Sequence, residues 1–190
     1  MRHRALVLCA AALAAVVAAT SGCVALVTIA ATALVVPSAP GTSGLAAIPP
    51  PMLSLYVGAA ATCPGLPWTV LAAIGTVESA NGSSDAAGVH SGANAAGAEG
   101  PMQFEPATFA SVAVVGPGGA VPPSPYDPSD AVYSAARLLC RDGAGSPATL
   151  PRAIFDYNHS SRYVAEVLRL AAGDAQAAVT GAIPARAGRR

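Results

Sequence analysis

The chain has 190 residues, ten Arg and no Lys against ten Asp plus Glu, and so no formal net charge. This length allows one globular domain with flanking segments. Residues 48–173 hold five arginines against nine acids, about −4, which excludes a basic face for nucleic acid.

Met1-Arg2-His3-Arg4 precedes an uncharged, mostly apolar run from Ala5 to Val36. As one helix that run would reach about 48 Å, where a membrane span needs about 20 residues and a signal-peptide core only about 7–15. A retained anchor over 1–36 fits best, with Arg2 and Arg4 holding the N-terminus in the cytoplasm. A cleaved signal peptide and a lipoprotein site at Thr20-Ser21-Gly22-Cys23 are the competing readings, and all three put the domain outside the membrane. Residues 37–50 lack charge and periodicity and read as a linker.

The domain is expected over 51–172. Pro51 with Met52, Leu55, Tyr56 and Ala59 predicts an amphipathic helix that ends near Cys63-Pro64. A second helix is predicted from Pro67 to Ser79. At 100° per residue its Glu78 lies within about 20° of Leu71 and about 40° of Ile74, so a carboxyl projects from an apolar face. Desolvation and the negative end of the helix both favour its neutral form, the state of a general acid.

Residues 80–99 are rich in Asn, Gly, Ser and Ala and read as a long loop that rims a cleft. A helix is expected from Glu105 to Val115, then a Gly/Pro-rich stretch from Gly116 to Pro125. Asp127-Pro128-Ser129-Asp130 is a helix start, with Asp127 as cap and Asp130 at the positive dipole end, and Gly143 stops that helix. Two more helices are predicted over Ser146–Asn158 and Ser161–Ala172, the latter with Tyr163, Val164, Val167, Leu168 and Leu170 as an apolar stripe. Residues 173–190 are expected to be a flexible tail. No strand is predicted, so the fold class is all-α.

Cys9 and Cys23 fall in the apolar run and act as small hydrophobes. In an exported chain the two domain cysteines, Cys63 and Cys140, are expected to pair. His3, His90 and His159 are scattered and no Cys-x-x-Cys occurs, so neither metal nor cofactor is expected.

Three motifs stand in order: Glu78-Ser79, then Gly-x-Met-Gln-Phe-x-Pro-x-Thr from Gly100 to Thr108, then Tyr157-Asn158. Together they resemble the soluble lytic transglycosylases, lysozyme-like enzymes that cut peptidoglycan, and most of all their actinobacterial, disulfide-bearing branch. The resemblance spans roughly residues 50–172 and implies a lysozyme-like helical domain with a substrate cleft. It implies that Glu78 is a single catalytic acid, then base, at the β-1,4 bond between N-acetylmuramic acid and N-acetylglucosamine, giving a 1,6-anhydro sugar. It implies that Met102, Gln103 and Phe104 line the sugar subsites, that Tyr157 points its hydroxyl at Glu78, and that Asn158 stands beside it. The resemblance implies glycan strands as the partner, the apolar N-terminal run implies the membrane, and a monomer is expected.

The chain departs from the family at several points. Pro101 replaces an aliphatic residue, His159-Ser160 stands where Ala-Gly is usual, and Asn94 occupies a position often held by serine. Two other functions stay open: a hydrolytic muramidase in which Asp85 assists a water, and a non-catalytic wall-binding module.

Overall fold

The computed structural model describes residues 48–180. The anchor or signal segment, most of the linker and the last ten residues lie outside that range. Among the described residues there are six helices: α1 (Pro50–Ala60), α2 (Trp68–Ser79), α3 (Pro106–Val112), α4 (Pro128–Arg141), α5 (Leu150–Asn158) and α6 (Ser161–Val179). The extended pairing among them is one isolated antiparallel bridge, Glu99 with Phe104. None of these helices is long and apolar enough to cross a membrane.

Four of the six helices carry proline at their first or second position, where its missing N–H is not needed and its fixed φ suits the first turn. α4 starts as its sequence predicts: the Asp127 carboxylate accepts from the N–H groups of Ser129 and Asp130 at 2.9 and 3.0 Å. α3 ends at Val112, three residues early, because the chain turns extended at Ala113. α5 begins at Leu150 rather than Ser146; residues 143–149 form successive turns, with Thr149 N–H bonded to Ser146 O at 3.1 Å.

The C-terminal expectation needs correction. α6 runs through Gly173 to Val179, seven residues beyond Ala172. The run Ala171–Ala178 holds five alanines and a glutamine, whose helix propensity offsets the roughly 1 kcal/mol that Gly173 costs. Asp174 on this extension is only 4% exposed. Burial raises its pKa to about 6.

α2 is the central element. Every residue from Thr69 to Gly75 is buried, and α2 packs most extensively on α6, while α1 packs on α4. Tyr56, Leu71, Ile74, Met102, Leu139, Ile154 and Val167 fill the core between them. The Cys63–Cys140 disulfide, with Cα atoms 5.7 Å apart, ties the turn after α1 to the last turn of α4.

Asp130 does more than face a helix dipole. It is fully buried, and its carboxylate accepts from Gly116 N–H at 2.8 Å and from Ala120 and Ser124 N–H at 3.0 Å each. One side chain thereby satisfies the backbone of the Gly/Pro-rich stretch that has no secondary structure of its own. Asp130→Asn puts an NH₂ among these donors and is expected to cost about 2–4 kcal/mol. Urea unfolding reads this as a lower midpoint at unchanged slope; an unchanged midpoint would show that the loop is held by other means.

Candidate active site

Glu78 occupies the last turn of α2, and the chain leaves that helix through two consecutive left-handed residues, Ala80 (φ 50°) and Asn81 (φ 59°). Asn81 is buried and fixes this exit: its Oδ1 accepts from the Tyr56 hydroxyl at 2.9 Å, and its Nδ2 donates to Thr76 Oγ1 at 3.1 Å. Gly75 makes the first of these bonds possible. A Cβ there would collide with the Tyr56 hydroxyl, so the helix leaves the position bare where the phenol crosses it.

Ser79 binds the end of α2 to the next motif. Its hydroxyl donates to Pro101 O at 2.6 Å and accepts from Gly82 N–H at 2.7 Å. Beyond Pro101 the Glu99–Phe104 bridge closes a tight turn through two bonds of 2.9 and 2.8 Å. Gly100 (φ 75°) packs directly on the carbonyl of Pro125, a place where no side chain fits.

The hydroxyl that reaches Glu78 belongs to Tyr163 at the start of α6, not to Tyr157. Tyr163 donates to Glu78 Oε1 at 2.6 Å, while the Tyr157 hydroxyl donates to Met102 O at 2.8 Å. The two rings stack with centroids 6.4 Å apart and planes 6° off parallel. Tyr163 reads in the sequence as one more apolar residue of a stripe. The signal that it does more is that a buried phenol needs a partner for its hydroxyl.

Burial drives the Glu78 carboxyl up to about 7, and the Tyr163 hydrogen bond pulls the other way. The Tyr163 phenol is raised far more, first by burial and then by the charge of Glu78, so it stays protonated and remains a donor. At neutral pH Glu78 is therefore divided between its acid and base forms, the condition for giving a proton and later taking one.

Glu78 opens into a cavity of about 380 Å³. The loop and turn before α3 contribute Asn94, Gln103, Phe104 and Glu105; the end of α4 contributes Leu138, Arg141 and Asp142; the end of α5 contributes Asp156, Tyr157, Asn158 and His159. Gln103 and Asn94 hold each other: Asn94 Nδ2 donates to Gln103 Oε1 at 2.9 Å, and Gln103 Nε2 donates to Gly100 O at 2.8 Å. Each keeps one amide N–H free for a ligand. Phe104 is largely buried against Phe109 and Tyr157, with centroids 5.4 and 6.0 Å away.

Met102 does not line the cavity. It is fully buried, so its side chain fills the core and only its carbonyl serves the site. Asn158 lines the cavity as the last residue of α5, and the left-handed cap after it is His159 (φ 51°). Asp85 is exposed on the long loop and is not among the residues lining the cavity. Among the described residues no three His, Cys, Asp or Glu side chains gather as metal ligands do.

No family model matches the sequence, and no curated protein matches it. A solved structure does: the lytic transglycosylase SLT35 of Escherichia coli in complex with bulgecin A, with a TM-score of 0.52 over 75% of this chain and 81% of that one. At 18% identity the likeness is one of fold alone: the helical domain described above shares its architecture with that structure.

Proposed function

We propose that the protein cuts peptidoglycan glycan strands as a lytic transglycosylase, with Glu78 as acid and then base. The observation that carries this reading is a single carboxyl pushed up to about 7, held by one phenol, in the cavity of a fold shared with a lytic transglycosylase. Protonated Glu78 gives its proton to the glycosidic oxygen, and the N-acetylglucosamine side leaves as an alcohol. The muramic acid's own acetamido oxygen covers the cationic C1, so no second protein carboxylate is required. Glu78, now ionised, takes the proton of the C6 hydroxyl as O6 bonds to C1. The carboxyl is restored and the product is a 1,6-anhydro sugar, formed without water.

Gln103, Asn158 and the edge of Phe104 are assigned to the sugar, and Tyr157 to holding the Met102 carbonyl beside it. Hydrolysis at the same carboxyl needs a second carboxylate to hold a water. Asp85 lies outside the cavity and Asp142 and Asp156 are paired with Arg141 and Arg152 at 3.0 and 2.8 Å, so among the described lining residues Glu105 is the carboxylate outside an ion pair on which a muramidase reading would have to rest. The disulfide supports an extracytoplasmic location. Anchoring through residues 1–36 and a monomeric state belong to the same proposal.

Mass spectrometry of digested peptidoglycan tests it. Fragments ending in 1,6-anhydro-muramic acid are expected; ends carrying an added water would make the protein a muramidase, and no fragments would leave a wall-binding module. Tyr163→Phe tests the positioning of Glu78. Removing the donor leaves burial unopposed, so the alkaline limb of kcat/KM moves to higher pH while kcat falls about 10–100-fold. A profile that stays in place while the Tm drops would reduce Tyr163 to packing.

A further inference from the structure

The cavity that holds Glu78 contains charge that a neutral sugar does not use. Besides Glu78 it is lined by Glu105, Asp142 and Asp156, and by one guanidinium, that of Arg141. Arg152 neutralises Asp156 through Nε, at 2.8 Å from each carboxylate oxygen. Arg141 donates from Nε to Asp142 Oδ1 at 3.0 Å and from Nη1 to Ser111 Oγ at 3.4 Å. These contacts lay the half-exposed guanidinium between the end of α4 and α3, and they use two of its five N–H groups. The other N–H on Nη1 and both on Nη2 remain, the set a carboxylate accepts two at a time.

We propose that Arg141 binds a carboxylate of the peptide stem carried by the strand, so that the α4 end of the cavity is a stem subsite beside the cutting site. This rests on the peptidoglycan reading above. The glycan backbone itself is uncharged, and its anionic groups hang from the muramic acid whose C1 would lie at Glu78. Arg141 lines the same cavity of about 380 Å³ as Glu78. With the domain acidic and the cavity rich in carboxylates, the N–H groups that Arg141 keeps free of Asp142 are the permanent donors that an anionic stem would meet there.

The test uses stem-bearing strands with free carboxyl groups and the same strands after carbodiimide-coupled amidation. The unmodified protein is expected to prefer the free-carboxyl strands in kcat/KM by roughly fivefold to tenfold, and Arg141→Gln to lose most of that preference. Arg141→Lys, which keeps the charge but not the fork, should fall between. No preference in the unmodified protein, or one that survives in Arg141→Gln, overturns the subsite. Calorimetric binding of both preparations to Glu78→Gln, with and without Arg141→Gln, separates the two claims. Strands bound with an Arg141-dependent preference but never cut would sink the transglycosylase reading and keep the subsite. Strands cut without the preference would do the reverse.

Discussion

Glu78→Gln is expected to lower strand cutting by about a thousandfold or more and, at the same time, to make the domain more stable above neutral pH. The rate loss follows from one carboxyl serving both proton transfers, each worth about a hundredfold to ten-thousandfold. The stability gain follows from the direction of its shift. In the folded protein Glu78 holds its proton up to about 7, against a reference value of 4.5. Between those values the unfolded chain ionises while the folded one does not. Stability is therefore highest below the lower value and falls as pH rises through the window, by up to about 3 kcal/mol before screening. Glutamine pays no ionisation penalty and can still accept from Tyr163. Asp174, raised by burial from 3.8 to about 6, acts in the same direction at lower pH and is untouched by the substitution. Melting curves from pH 4 to 8 should thus start together, part from about pH 4.5 as only the unmodified protein loses the Glu78 contribution, and run parallel again above about 7. Parallel curves throughout would show that Glu78 is better solvated than its surroundings indicate.

Opening the disulfide, one of whose sulfurs lies in the core, should lower stability more than the Asp130 substitution does. Cys63 and Cys140 are 77 residues apart in sequence, so the bridge restrains much of the unfolded chain. The chain-entropy model gives about 4.5 kcal/mol for such a loop, or a Tm lower by about 10–20 °C for a domain of this size. Both reductant and the Cys63→Ser/Cys140→Ser double variant should show this drop, and the variant controls for effects of the reductant elsewhere. The bridge also holds the residue before Arg141, so the cavity wall formed by the end of α4 should loosen at temperatures where the domain is still folded. An unchanged midpoint in both experiments would mean that the bridge contributes no net stability.

Local signals carried most of the helix boundaries. Proline at first turns, an aspartate cap before α4 and the apolar face leading to Glu78 can all be read within a few residues of the element they define. What could not be read depended on pairs far apart in the chain. Tyr157 and Tyr163 are six residues apart, and nothing local says which hydroxyl crosses 85 residues of sequence to reach Glu78. Asp130 looked like an ordinary first-turn acid, because its three backbone donors come from a loop whose path is set only when that loop folds over α4. Met102 belonged to a motif read as sugar-binding, yet periodicity does not separate a residue facing a cleft from one facing the core within a tight turn. The length of α6 escapes a reading that takes residues near a terminus as a flexible tail, because the alanines after Gly173 carry the helix on to Val179.

The crossing of Tyr56 over Gly75 restricts how this sequence can drift. Alanine at position 75 would improve the helix by about 1 kcal/mol in isolation, yet the phenol occupies the space it needs. A lineage could take that gain only after Tyr56 had given way to a shorter side chain, since the ring carbon bearing the hydroxyl would itself stand 2.8 Å from that Cβ, and that first step would strip the Asn81 Oδ1 of its donor at the exit beneath Glu78. Positions 56, 75 and 81 are therefore tied into an order of replacement, and relatives that differ at one of them should differ at the others.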